Sequence, residues 1–382
     1  MTRSMISRFC ALLLGIGALS PAAAATSAPV ATAPPAVARA PVPPAGPELK
    51  ATEGHIVIKD FKFRSGETLP QLRLNFLTLG QPRKDAQGHI TNAVLILHGT
   101  GGSGRQFLQP QFADVLFTPG GLLDVDRYFI ILPDGIGHGK SSKPSDGLHA
   151  KFPHYDYADM VIAQRALVTK GLGIERLRLV MGTSMGCMHA FLWGEAWPDA
   201  MDAIMPLACL PTQIAGRNRM WRKMAIDAIH ADPAWMGGEY KTQPLAGLRT
   251  AADLLTIAGS SPLQMQKALP TRDDADKELA ARTEAQLKSL DANDFVYQLA
   301  ASRTYDPSAA LEAIKAQVMW VNSADDFINP PELGIAEHMA PRLKHGRFVL
   351  IPTSDQTRGH ATHTVAAVWK GYLEELLKAT EH

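Results

Sequence analysis

Hydrophobic positions along this chain follow two rhythms. The stretches His55–Lys62 and Leu72–Leu79 alternate apolar and polar residues, the period of strands with one face on a core and the other in water. The runs Ala93–His98, Tyr128–Pro133, Arg176–Met181, Ala203–Ala208, Gln317–Asn322 and Arg347–Ile351 are more continuously apolar, as strands covered on both faces are. Helical spacing separates most of the later runs, for example at Tyr157–Lys170 and Ala361–Leu377. Alternating β and α in this way predicts an α/β fold, a mostly parallel eight-stranded sheet with helices on both faces.

One insertion interrupts the rhythm. Residues 210–316 show apolar and polar residues at helical spacing and no convincing strand, between core segments at 49–209 and 317–382. The insertion leaves directly after one core strand and returns directly before another. It is therefore expected to form a helical lid over the strand C-termini, where α/β sheets bind ligands. A helical layer with no role at the site is the alternative.

The N-terminus has its own layout. Arg3 and Arg8 precede an apolar run from Phe9 to Leu19, followed by Ala23, Ala24 and Ala25, the three-part pattern of a secretory signal peptide over residues 1–25. The run is well short of the roughly 20 residues that span a bilayer, so no stable membrane anchor is expected. Residues 26–48 are rich in Ala and Pro and read as an extended linker. The expected location is periplasmic or extracellular. With Cys10 inside the leader, Cys187 and Cys209 remain; a disulfide and two buried thiols both fit their positions.

Composition narrows the partners. The 382 residues are 46% hydrophobic and 20% charged, ordinary for a globular enzyme, and a net charge of +1 gives no footprint for nucleic acid or an anionic membrane.

The candidate chemistry centres on Gly182-Thr183-Ser184-Met185-Gly186, a Gly-x-Ser-x-Gly match between a strand pattern and a helix pattern. A serine at the tip of such a turn projects its hydroxyl from the sheet as a nucleophile, provided a base removes its proton and an acid orients the base. In this fold class the order is serine, acid, histidine. Asp326, followed by x-Ile-x-Pro, is preferred over Asp325 as the acid, and His360 in the loop after the last strand is the base. The N–H groups of Met185 and of Thr100, in the loop His98-Gly99-Thr100-Gly101-Gly102, are the candidate oxyanion donors. His98 is read as structural, and His138, His149, His154 and His189 as packing or surface residues. Ser141 and Ser142 have no feature that marks a nucleophile. His363 near His360 lacks a carboxylate to complete a metal site, so neither metal nor cofactor is expected.

The segments NAVLILHGTGG, DVDRYFIILPD, FPHYDYADMVIAQRALV, VMGTSMGCMHAFLW, DPAWMGGEY and NSADDFINPPE resemble those of homoserine O-acetyltransferases and their relatives, in order from Gly54 to Tyr372. The resemblance implies an α/β-hydrolase fold with a helical lid, a triad on Ser184, Asp326 and His360, and a homodimer through the lid. It also implies a substrate arginine, for which Arg217, Arg219 and Arg222 are the candidates. The chain departs from the family in three places, one of them the loop after Pro133, which reads DGIGHGKSSKP in place of the usual family wording. Family members that acylate homoserine follow the histidine with an aspartate that holds the substrate ammonium, and here Ala361 stands there. Thr183 and Cys187 replace glycines of the family's Gly-Gly-Ser-Met-Gly-Gly.

An exported transferase would be separated from cytoplasmic acetyl-CoA and homoserine. The leading expectation is therefore an exported serine hydrolase acting on small-molecule carboxylic esters. An acetyl-CoA-dependent O-acetyltransferase and a catalytically idle binding protein on the same scaffold are the alternatives.

Overall fold

The apolar runs assemble into a single sheet in the computed structural model of the chain, which describes residues 49–381; the leader and linker expected at 1–25 and 26–48 lie outside the described residues. The strands are β1 (Thr52–Lys62), β2 (Thr68–Leu79), β3 (Ala93–Leu97), β4 (Phe129–Pro133), β5 (Leu177–Thr183), β6 (Met201–Leu207), β7 (Gln317–Ser323) and β8 (Gly346–Ile351). Their order across the sheet is β1-β2-β4-β3-β5-β6-β7-β8. The two alternating stretches form the edge hairpin β1–β2, and β2 is also antiparallel to β4. All other neighbouring pairs are parallel.

The helices are α1 (Pro110–Leu116), α2 (Tyr157–Ala166), α3 (Met185–Ala196), α4 (Gly216–Ala231), α5 (Leu245–Gly259), α6 (Pro262–Ala268), α7 (Arg272–Leu287), α8 (Ala292–Ala300), α9 (Ile335–Met339) and α10 (Ala366–Ala379). The helix pattern at Tyr157–Lys170 ends in a wider turn at Leu167–Gly171, and that beginning at Ala361 opens with a short 3₁₀ turn before α10. Alternation along β3 shows how the sheet is covered. Leu95 and Leu97 pack with Met160 of α2 and Met188 and Phe191 of α3, while Val94 and Ile96 pack on the other face with Phe112 of α1 and Trp369 and Leu373 of α10.

Between β6 and β7 the chain forms α4 to α8, which carry a third apolar cluster. Trp221, Ala225 and Ile229 lie at i, i+4, i+8 on α4 and meet Leu248 of α5, Phe295 and Leu299 of α8, and Ile328 from the segment after β7. Helix α8 fastens this layer to the core. Its Asp294 carboxylate accepts from the Ser145 N–H (2.8 Å) and hydroxyl (2.7 Å), the Tyr297 hydroxyl donates to the Phe152 carbonyl (2.7 Å), and the Gln298 amide donates to the Gly137 carbonyl (2.8 Å).

The strand order fixes where a ligand can sit. From β3 the chain moves outward to β4, then crosses back to place β5 on the other side of β3. A crevice opens at such a reversal, outside the C-terminal ends of the two central strands. The segments that follow β3 and β5 are the glycine loop and the Ser184 turn.

Candidate active site

Ser184 joins β5 to α3 with φ 55° and ψ −110°, a backbone conformation that costs a side-chain-bearing residue about 1–3 kcal/mol. Two glycines make the turn possible. A Cβ on Gly182 would lie 2.0 Å from the Gly186 carbonyl oxygen, and one on Gly186 would lie 2.0 Å from that of Leu97. The Ser184 N–H donates to the Leu207 carbonyl (2.8 Å), which moors the turn to the neighbouring strand.

Three side chains from three strand ends converge there. His360 Nε2 lies 2.8 Å from Ser184 Oγ, and His360 Nδ1 lies 2.8 Å from Asp326 Oδ2. Asp326 is fully buried; burial raises its pKa, but the His360 ring and bonds from Asn329 and Ile328 outweigh that and hold the carboxyl below its ordinary range. An ionised Asp326 accepts a hydrogen bond from Nδ1–H, which leaves Nε2 free to accept one from the serine hydroxyl. Asn329 completes the arrangement, because its side-chain amide donates to Asp326 Oδ2 (3.0 Å) and to the Ala208 carbonyl (3.1 Å). Its place in Asp-x-Ile-x-Pro was visible in the sequence, but its contact with Ala208 spans the lid insertion and was not. Asp325 turns away from the ring and binds the loop that precedes His360.

Met185 is the first residue of α3, so its N–H has no acceptor within the helix. The loop after β3 closes as a tight turn, with the Gly102 N–H on the Gly99 carbonyl (3.0 Å) and Gly101 at φ 77°, the glycine position of a type II turn. That turn leaves the Thr100 N–H out of its own hydrogen bond. Gly99 packs on the serine so closely that a Cβ there would lie 3.3 Å from Ser184 Cβ. The Thr100 hydroxyl is buried without a partner. His98 holds the loop: Nδ1 donates to the Gly99 carbonyl (2.8 Å) and Nε2 accepts from the Gly135 N–H (2.9 Å), while burial lowers its pKa and keeps it neutral.

The remaining candidates make no hydrogen bond to Ser184, Asp326 or His360. Ser141 donates to the Asp134 carbonyl and accepts from the Asn75 N–H, and Ser142 accepts from the Arg73 N–H. Arg217 stacks over the Phe327 ring and donates to the Phe327 carbonyl (2.8 Å). Arg222 is buried, with Nε on Asn218 (3.0 Å), the guanidinium over the Trp221 ring, and Nη1 unpartnered. Arg219 also has an unpartnered Nη1, and its pKa is lowered by burial and by the charges of Arg303 and Arg222.

The lid lies close above the chemistry. A Cβ on Gly101 would touch Leu255 of α5 at 3.9 Å, and one on Gly359 would lie 2.7 Å from the Ser260 carbonyl oxygen. Ser184 and His360 each keep only 8% exposure beneath this helical layer. A cavity of about 680 Å³ opens beside the acid loop, lined by Met188, Leu210, Ile214, Arg217, Asp326 and Asn329. A larger one, of about 860 Å³, is lined by Thr91, Tyr128, Leu177 and Asp202 at the opposite ends of the parallel strands, remote from Ser184.

Comparison with known proteins agrees with this architecture. A family model for the alpha/beta hydrolase fold matches residues 92–355. A probable acyltransferase of Methanothermobacter thermautotrophicus is 31% identical over 79% of this chain and 90% of its own length. A homoserine O-acetyltransferase of Pelobacter propionicus is 31% identical over 81% of this chain and 91% of its own. Among solved structures, esterase E22 superposes with a TM-score of 0.75 at 20% identity, covering 86% of this chain and 100% of that one.

Proposed function

The chain belongs to the α/β-hydrolase family, as an enzyme of the homoserine O-acetyltransferase-like kind, and from that premise we propose that it is an exported carboxylic ester hydrolase acting through an acyl-enzyme on Ser184. The observation that carries this reading is the hydrogen-bonded series Ser184, His360, Asp326 at the reversal of strand order.

In the first half-reaction Ser184 Oγ attacks the ester carbonyl while His360 Nε2 takes its proton. Asp326 stabilises the resulting imidazolium, and the N–H groups of Met185 and Thr100 receive the oxyanion. Collapse of the tetrahedral intermediate breaks the ester bond, and His360 returns the proton to the departing alcohol. Water then attacks the acyl-enzyme with His360 again as base, releasing the carboxylic acid and restoring Ser184. This chemistry needs no metal or cofactor.

Two features favour water over an amino-acid acceptor. Ala361 follows His360, so no carboxylate stands there to hold an ammonium group. Cys187 and Cys209 are joined in a disulfide, which suits an oxidising compartment. Acetyl transfer from acetyl-CoA is the second reading, favoured by the curated relatives. Side-by-side assay of the purified chain on simple esters and on homoserine plus acetyl-CoA separates the two. Faster hydrolysis, with Ser184 labelled by a fluorophosphonate, supports the proposal, and faster acetylation of homoserine overturns it.

A homodimer through the lid is also proposed. Met220 and Met224 of α4, with Met236, Leu245 and Ile257, are each at least half exposed on this insertion, and an apolar surface of that kind suits a second copy. Sedimentation of the wild type against Met220→Lys/Met224→Lys tests it; a wild-type monomer would remove the proposal.

A further inference from the structure

We propose that Asp325 is a positioning residue that sets His360 against Ser184 by holding the loop before it, and that ties the lid to that loop. The inference rests on the triad reading above.

Asp325 and Asp326 are adjacent yet face different partners. Asp326 meets the imidazole, whereas Asp325 gathers four donors from three separate segments. Its Oδ2 accepts from the Gly359 N–H (2.8 Å), the Thr357 hydroxyl (3.0 Å) and the Ser261 hydroxyl (3.0 Å), and its Oδ1 accepts from the Ser323 hydroxyl (2.5 Å). Ser323 ends β7, Thr357 and Gly359 lie just before His360, and Ser261 belongs to the lid between α5 and α6. Burial raises the Asp325 pKa, but these bonds outweigh it and keep the carboxyl below its ordinary range. All four hydrogen bonds are therefore made to an anion, the stronger class of such bonds.

The loop needs an external hold. Its internal bonds, such as Thr357 N–H to the Ser354 carbonyl and Arg358 N–H to the Thr362 hydroxyl, shape it without locating it on the sheet. Besides the His360 bonds to Asp326 and Ser184 and a longer bond from the Thr362 hydroxyl to that of Ser323 (3.3 Å), its side-chain anchors are Asp325 and α6, where Gln264 donates to the Ser354 and Asp355 carbonyls and Lys267 pairs with Asp355. Gly359, at φ 61°, is pressed against the lid backbone at Ser260. One carboxylate thus holds the residue next to the catalytic base and, through the same oxygen atom, a hydroxyl of the lid. A displacement of about 1 Å at a reacting group costs on the order of 100-fold in rate. Lid seating and histidine placement become one event.

The test compares Asp325→Ala, Asp325→Asn and Ser261→Ala in the purified chain. The readouts are fluorophosphonate labelling of Ser184, kcat and KM on a chromogenic ester, and melting temperature. Asp325→Ala should slow labelling and kcat by about 100-fold while KM stays within about threefold. Asp325→Asn keeps an oxygen for the Gly359 and Thr357 donors and should recover most of that loss at a similar melting temperature. Ser261→Ala should slow labelling by about three- to tenfold. Labelling of Asp325→Ala within threefold of wild type overturns the positioning role, and so does an Asp325→Asn variant as slow as Asp325→Ala. Wild-type labelling in Ser261→Ala overturns the tie to the lid. If the wild-type chain itself does not label, the triad reading fails; if it labels and Asp325→Ala labels equally, only this inference fails.

Discussion

The ring of His363 stands edge-on to the ring of His360, with centroids 5.2 Å apart and planes at 83°. Burial, and then the His360 charge, push the His363 pKa down to about 3, so it stays neutral near pH 7. A neutral His363 sets no second positive charge against the His360 ring.

That arrangement fixes the acid sensitivity of the fold. An unfolded histidine binds its proton near pH 6.5, and folded His363 only near pH 3. Between those values the unfolded state holds more protons, so stability is full above pH 6.5 and is lost as pH falls toward 3. At pH 4 the loss is on the order of 3 kcal/mol per such histidine. His189, also near 3, adds to it. Relative to wild type, His363→Leu should gain melting temperature on going from pH 7 to pH 4. A difference independent of pH would contradict this.

On the proposed mechanism, Ser184 trades stability for reactivity. Its φ of 55° is relieved by glycine, so Ser184→Gly should remove turnover while raising stability by about 1 kcal/mol in urea denaturation. His360→Ala should lower kcat by about four orders of magnitude without loss of folding. Near wild-type turnover in either variant refutes the mechanism.

The paired aspartates should separate in kinetics. Asp326→Asn presents an amide to His360 Nδ1 and favours the wrong tautomer, for a loss of about 10⁴ in kcat. Asp325→Asn should stay within about tenfold of wild type. The reverse ranking would reassign the acid.

Close backbone approach makes the turn intolerant. Gly186→Ala puts a Cβ 2.0 Å from the Leu97 carbonyl oxygen, with no flexible side chain able to yield. At least about 3 kcal/mol should be lost, visible as poor soluble yield or an early thermal transition.

The Cys187–Cys209 bridge joins α3 to the segment after β6 across 22 residues of sequence. Cys187→Ala/Cys209→Ala should cost about 2–4 kcal/mol, measured by urea denaturation of oxidised wild type against the variant.

Much of this was legible in one dimension. Runs such as Ala93–His98 and Ala203–Ala208 are short and apolar enough to read as buried strands, and β1 and β2 reveal their half-exposed edge by alternating. Ser184, Asp326 and His360 stand out because each follows a strand in the order the chemistry requires. What stayed hidden depends on distances between remote segments. Cys187 and Cys209 were compatible with two thiols until α3 and the end of β6 were seen side by side. Nothing marks Ser261, deep in the insertion, as a partner of Asp325, since the hydroxyl–carboxylate contact spans 64 residues. The three lid arginines looked equivalent in sequence, yet Arg217 reaches the Phe327 carbonyl while Arg222 is buried over Trp221.

β6 and β7 are parallel neighbours in the sheet, with Leu207 opposite Val321, so the helical insertion leaves at the C-terminal end of β6 and returns at the N-terminal end of β7, one strand length away. A segment anchored at two fixed strand ends can be lengthened, trimmed or exchanged for another without rethreading the strands, because its closure entropy grows only slowly with length. The bond-making machinery is thus inherited with the sheet, while the choice of molecule admitted to it can drift separately. Proteins of one ancestry can then part company as transferases and esterases by revising a single detachable paragraph of their sequence.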